Sequence, residues 1–206
     1  LRFASLLVYS PSGASQASVD SQKAMRELKN CRPALLARIV LRLKQQFEAG
    51  RLRDFLGPDV VLVPAPRRVP PKLKVPSWPA KDLCDRLVTE GLGASVELLL
   101  TRHKAVPKSA LQRKGVDRPG PDAHAESIRA TPLLLAPSRI TIVDDVVTRG
   151  STLLGCAWVL CGALPKAQVR GLAAVRTMSG VEIEQMLDVV EGGRIFVRGG
   201  QPHREP

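Results

Sequence analysis

Residues 140–152, Ile-Thr-Ile-Val-Asp-Asp-Val-Val-Thr-Arg-Gly-Ser-Thr, restrict the fold of this chain more than any other stretch. Residues 140–143 have the length and β-branching of a buried strand. Two adjacent carboxylates, Asp144 and Asp145, follow, and then a small, hydroxyl-rich turn built on Thr148, Gly150, Ser151 and Thr152. Ser151 or Thr152 can cap a helix that runs to about Leu160, with Gly162 and Pro165 as stop signals. Strand, acid pair, tight turn and helix start, in that order, aim backbone N–H groups and hydroxyls at one spot on the positive end of a helix. Such a spot suits a phosphate. Carboxylates repel a phosphate, so the acid pair fits a neighbouring group with hydroxyl donors, such as a ribose.

The rest of the chain alternates helix and strand signals. A short helix is expected from Ser18 or Asp20 through Lys29. Residues 33–49 give the clearest helix, with Pro33 in the first turn, Gly50 as a stop, and Leu35, Leu36, Ile39, Val40, Leu43 and Phe47 on one stripe. Residues 60–63 read as a buried strand that runs into a stiff turn, Pro64-Ala-Pro-Arg-Arg68. A helix over 78–90, strands over 96–100 and 168–175, a helix over 181–190 and a short strand over 194–197 complete the pattern. Residues 101–138 contain five prolines and few apolar clusters, which predicts a long, weakly structured insertion. Strands separated by helices argue for an α/β protein: a mainly parallel twisted sheet with helices on both faces. Ligands in such sheets sit beyond the carboxyl ends of the strands, where the acid pair falls.

The 206 residues suit one domain. No apolar run reaches the roughly 20 residues of a membrane span. The opening nine residues are too short and interrupted for a signal peptide, and a start at Leu1 rather than Met suggests residues upstream. Cys31, Cys84, Cys156 and Cys161 have spacings that suit neither a zinc site nor a disulfide framework, so a reduced, cytoplasmic protein is expected. The net charge is +12, and all the excess lies in residues 1–118, because residues 119–206 balance 9 cations against 9 acids. Such a first half attracts polyphosphates and nucleic acid alike. Seven aromatics are too few for an obvious base-stacking platform.

The segment 144–152 resembles the signature of the type I phosphoribosyltransferases: two acids, two apolar residues, then Thr-Thr-Gly-x-Thr. Arg149 stands where that pattern often has Thr. The resemblance implies that loop and acids hold phosphoribosyl diphosphate (PRPP). Asp144 and Asp145 would take the ribose hydroxyls, and Thr148, Arg149, Gly150, Ser151 and Thr152 the 5′-phosphate. It also implies a diphosphate grip by Ala65, Pro66, Arg67 and Arg68, and a mobile loop over 101–138. Arg102, Lys104, Lys108 and Arg118 of that loop could reach the diphosphate. Residues 1–54 would form a small amino-terminal hood, and 55–180 the core of the single domain. Mg²⁺ would be held mainly by substrate oxygens, with Asp144 and Asp145 contributing through water.

More narrowly, the Val-Pro-x-Pro-Arg turn, the Arg-x-Lys stretch and the acidic loop look like the ComF branch of these proteins, and Tyr9, Lys29 and the helix after it fit that layout. The zinc ribbon and the Arg-Gly-Phe-Asn stretch common in that branch are missing. The activity implied is displacement of diphosphate at ribose C1 by a nitrogen nucleophile. Threonine at 148, where purine-salvage members often carry an aspartate, weakens a 6-oxopurine acceptor. A non-catalytic PRPP or nucleotide sensor and a ComF-like accessory protein in DNA handling are the alternatives. The expected partners are PRPP and a small nitrogenous base or amine. Nucleic acid through the basic first half and a homodimer stay open, and no membrane is expected.

Overall fold

The computed structural model describes residues 1–68, 77–106, 119–133 and 135–206. Its centre is a seven-stranded mixed sheet in the order β3-β2-β6-β7-β1-β8-β9. Five neighbouring strands run parallel: β3 (Ser95–Val96), β2 (Val61–Pro64), β6 (Arg139–Val147), β7 (Gln168–Thr177) and β1 (Arg2–Tyr9). The antiparallel hairpin β8 (Leu187–Arg198) and β9 (Gln201–Glu205) completes the sheet beside β1.

Two apolar layers sandwich this sheet, so the fold is α/β with helices on both faces. On one face lie α1 (Gln16–Lys29), α2 (Pro33–Glu48) and α3 (Pro79–Thr89), contributing Leu28, Leu36, Leu43 and Leu83 to a layer that includes Leu6, Leu62 and Val143. On the other, α5 (Ser151–Ala163) buries Leu153, Cys156 and Leu160 against Phe3, Val63, Ile142 and Ala173. Strand alternation sends Phe3 and Ala4, Leu62 and Val63, Ile142 and Val143, and Leu172 and Ala173 to opposite layers. Helix α5 is apolar nearly all round because the short helix α4 (Pro121–Glu126) covers its outer side. Gly155 permits that approach: a Cβ there would lie 2.7 Å from the Pro121 carbonyl oxygen.

Three expectations need correction. Residues 1–54 do not form a separate hood, because β1 sits between β7 and β8 with Phe3, Ala4, Ser5 and Leu6 fully buried, and α1 and α2 cover the sheet. The 101–138 segment is not simply a loose insertion. Its described parts include α4 and a two-stranded ribbon of β4 (Leu100–Arg102) and β5 (Ile128–Ala130). Residues 181–190 are not helical. Ser10 Oγ and Ser15 Oγ donate to the carbonyls of Val181 and Ile183, while Glu182 accepts from the Ala14 and Ser15 amides. Those tertiary bonds tie down the segment, and β8 begins at Leu187. Glu182 thereby supplies a carboxylate at the amino end of α1, and these bonds hold its acidity at about 2.

Candidate phosphate and sugar site

Strand order creates the site. From β2 the chain passes through α3 to β3 on one side; from β6 it passes through α5 to β7 on the other. The carboxyl ends of β2 and β6 therefore flank a topological switch point, where a crevice opens. Pro64 pairs with Val143, and the Ala65 amide donates to the Val143 carbonyl at 2.8 Å. Beyond that point β6 runs on without β2, still paired to β7 through Asp144, Val146 and Val147. The acid pair thus lies inside the strand, not after it, on the stretch where the β2 side has fallen away.

A cavity of about 500 Å³ fills this crevice. One wall is the loop after β2, with Ala65, Pro66, Arg67 and Arg68. The opposite wall carries Asp144 and Asp145, then Thr148, Arg149, Gly150, Ser151 and Thr152. The residues expected to touch the sugar and the 5′-phosphate, and the four expected in the diphosphate grip of the β2 loop, therefore face one space, although the two walls are about eighty positions apart in the chain.

The two carboxylates have different surroundings because they alternate across the strand. Asp145 shares its face with Val143, on the α1 side, and its Oδ2 lies 2.5 Å from the Lys29 ammonium at the last residue of α1. Burial works to lower the Lys29 pKa, but the Asp145 carboxylate outweighs it and holds Lys29 above its ordinary value. Asp144 shares its face with Ile142, on the α5 side. Burial, reinforced by the charge of Asp145, pushes Asp144 well above the ordinary carboxylate range. The Asp145 amide donates to Asp144 Oδ1 at 2.9 Å, and the Val146 amide to Asp145 Oδ1 at 3.0 Å.

The turn after β6 needs a glycine. Gly150 has φ of 92°, in the left-handed region, and is itself the N-cap of α5, so neither Ser151 nor Thr152 caps the helix as expected. No side chain caps this end, and the first-turn amides of a helix have no partner within it. The turn is braced from behind by the β8–β9 hairpin. Arg204 Nε donates to the Thr148 carbonyl at 2.7 Å and its Nη2 to the Thr177 carbonyl at 2.8 Å.

The loop after β2 is stapled through its carbonyls. Trp78 Nε1 donates to Ala65 at 2.9 Å, Arg102 Nε to Arg67 at 2.8 Å, and the Val106 amide to Arg68 at 3.4 Å. Arg67 stacks its guanidinium over the Trp78 ring, 5.1 Å from the centroid. Arg102, expected on a mobile loop, is instead 2% exposed and immobilised. Its guanidinium also donates to Ser127 Oγ and approaches His124 Nδ1 at 3.5 Å. Burial and the Arg102 charge press His124 down to about 4, which leaves it neutral at ordinary pH as an acceptor for Arg102. Lys104 is exposed and does not line the cavity. Lys108 and Arg118 lie outside the described residues.

Lys29, Trp78, Gln201 and Pro202 are among the cavity residues that escaped the sequence reading of the site. Lys29 carried a weak signal, a lone cation at a helix end. Trp78 is the aromatic wall that seven scattered aromatics did not single out, and Gln201 and Pro202 come from the carboxyl-terminal hairpin. Among the described residues no helix is long and apolar enough to cross a membrane, and no cluster of three or more His, Cys, Asp or Glu could hold a metal. No family model matches the chain, and no curated protein matches it.

Proposed function

We propose that this chain is a PRPP-binding phosphoribosyltransferase of the type I architecture, displacing diphosphate from ribose C1 with a nitrogen nucleophile. The supporting observation is the shared cavity at the switch point, in which an acid pair, an uncapped helix start behind a glycine turn, and an arginine-bearing loop face one another. A pentose 5-phosphate activated at C1 by diphosphate carries the complementary groups: vicinal hydroxyls for the acid pair, a terminal phosphate for the helix start, and a polyanionic leaving group for the arginine loop.

In this reading the 5′-phosphate rests on the amides after Gly150, where the helix dipole favours an anion. Ribose hydroxyls donate to Asp144 and Asp145. Arg67 and Arg68 face the diphosphate and stabilise the charge that grows as the C1–O bond breaks and its electron pair leaves with diphosphate. The acceptor nitrogen supplies the lone pair for the new C1–N bond and then loses its proton to solvent. Positioning and charge on the leaving group account for most of the acceleration. Among the described residues no group of three or more His, Cys, Asp or Glu could hold a metal, so in this reading Mg²⁺ would be carried by the diphosphate oxygens, where it would add charge neutralisation.

Two measurements test this. Titration with PRPP, with and without Mg²⁺, is expected to show saturable binding, and diphosphate release against a panel of bases and amines is expected to identify the acceptor. The double variant Asp144→Asn, Asp145→Asn should lose about tenfold or more of PRPP affinity, about 1.4 kcal/mol or more, with an unchanged circular dichroism spectrum. Unchanged calorimetric affinity in that variant would remove the carboxylates from the sugar site. PRPP binding without diphosphate release for any acceptor would favour a sensor over a transferase.

A further inference from the structure

Lys29 does not belong to any wall assigned above, yet its ammonium is the group nearest the acid pair. It reaches Asp145 Oδ2 at 2.5 Å from the end of α1, and its backbone is fixed by Ser77 Oγ, which donates to the Lys29 carbonyl at 3.0 Å. The partners differ in exposure: the Asp145 side chain keeps 13% of its surface and Lys29 keeps 55%. A carboxylate that deep needs a counter-charge. Paired carboxylates commonly obtain it from a divalent ion and its waters. Here that counter-charge is already supplied by Lys29 on Oδ2, with the Val146 amide donating to Oδ1, which leaves each oxygen a further lone pair for a sugar hydroxyl. A divalent ion drawn to Asp145 would meet the like charge of an ammonium 2.5 Å from Oδ2, which disagrees with the expectation that Asp145 helps to hold Mg²⁺ through water.

We propose that Lys29 fills the cation position of the acid pair, so that the charge of Asp145 is balanced by the chain itself and any divalent ion is confined to the diphosphate end of the ligand. This makes Lys29 a specificity-determining residue: a sugar phosphate lacking the diphosphate binds with no need for metal. The ligand consequence rests on the phosphoribosyl reading; the cation assignment does not.

The experiment therefore has two arms. The first uses Mn²⁺ alone, following free ion by electron paramagnetic resonance. Wild type and Lys29→Arg are expected to show no Mn²⁺ site at the acid pair. Lys29→Met is expected to gain one, and Lys29→Met with Asp145→Asn to lose it again. A wild-type site abolished by Asp145→Asn, or no gain in Lys29→Met, overturns the assignment. The second arm measures ribose 5-phosphate by calorimetry in EDTA and in Mg²⁺. Equal affinity in both is expected for wild type and Lys29→Arg. For Lys29→Met a loss of about tenfold in EDTA, about 1.4 kcal/mol, should be recovered by Mg²⁺. Metal-dependent binding by wild type overturns the proposal. Failure of wild type to bind ribose 5-phosphate or PRPP under either condition sinks the phosphoribosyl reading instead, and the Mn²⁺ arm still decides the role of Lys29. Lys29→Arg keeps the charge and serves as the folded control.

Discussion

Glycine at 150 illustrates how one residue serves fold and site together. Its φ of 92° disfavours any side chain, and a Cβ there would meet Ile195 Cγ2 at 2.6 Å. The space beside it is filled by β8, so the residue's first duty is to let the hairpin close on the turn. Gly150→Ala should destabilise by about 3 kcal/mol, combining left-handed strain with overpacking. Urea unfolding measures this, and Ile195→Val in the same chain should recover part of the loss. His124 gives a pH signature. Its folded value of about 4 lies below the 6.5 of a free imidazole, so between those values the unfolded chain takes up a proton that the native state refuses. Stability from this group is complete above about 6.5 and falls by about 3 kcal/mol as pH drops towards 4. Asp144 runs the other way, since its raised pKa favours the folded state as pH falls. Comparing wild type with His124→Gln across pH 4–7 isolates the histidine, and parallel curves would refute its assignment. Glycine at this turn was readable from the sequence. The neutrality of His124 was not, because it depends on burial in the folded chain and on Arg102 arriving from β4.

At the level of elements, β4, β5 and α4 act as a bracket behind the loop after β2. Arg102 is the pin: one guanidinium serves the Arg67 carbonyl, Ser127 Oγ and His124 Nδ1. Removing it leaves buried acceptors unmatched, so Arg102→Ala should cost about 2–4 kcal/mol in urea unfolding. Arg102→Lys should not rescue it, because an ammonium cannot span the three acceptors of the planar fork. The sequence signalled this residue only as one cation in a basic, proline-rich stretch, and that composition points to a solvated loop. Helices fared differently. The Pro33 start and apolar stripe of α2 were legible because a helix carries its own period, whereas the span 181–190 was misread because hydrogen bonds from Ser10, Ser15 and the α1 entry govern it.

Across the whole molecule, binding at the crevice links its two halves. The β2 loop and the β6 turn come from separate segments, so a ligand touching both stabilises the folded state through mass action. At a hundredfold excess over its Kd, PRPP should add about 2.7 kcal/mol and raise Tm by several degrees; calorimetric scans with inorganic phosphate as the control measure it. The first 118 residues carry the whole +12 excess, a charge that attracts polyanions. Duplex DNA that binds with a steep salt dependence and is indifferent to PRPP would mark a separate surface.

Local order along the chain was enough to establish the strand, acid pair, glycine turn and helix, since each depends on neighbours within a few residues. It was also enough to establish the alternation that makes a mainly parallel α/β sheet; the antiparallel β8–β9 hairpin that makes it mixed was not legible there. Placement of β1 in the middle of that sheet, the meeting of Lys29 with Asp145, and the bracing of the turn by Arg204 depend on long-range contacts. Lys29 and Asp145 are separated by 116 positions. Periodicity reports which face of an element is apolar, but not which distant element will cover it; that is set by strand order and by the packing of two complete layers.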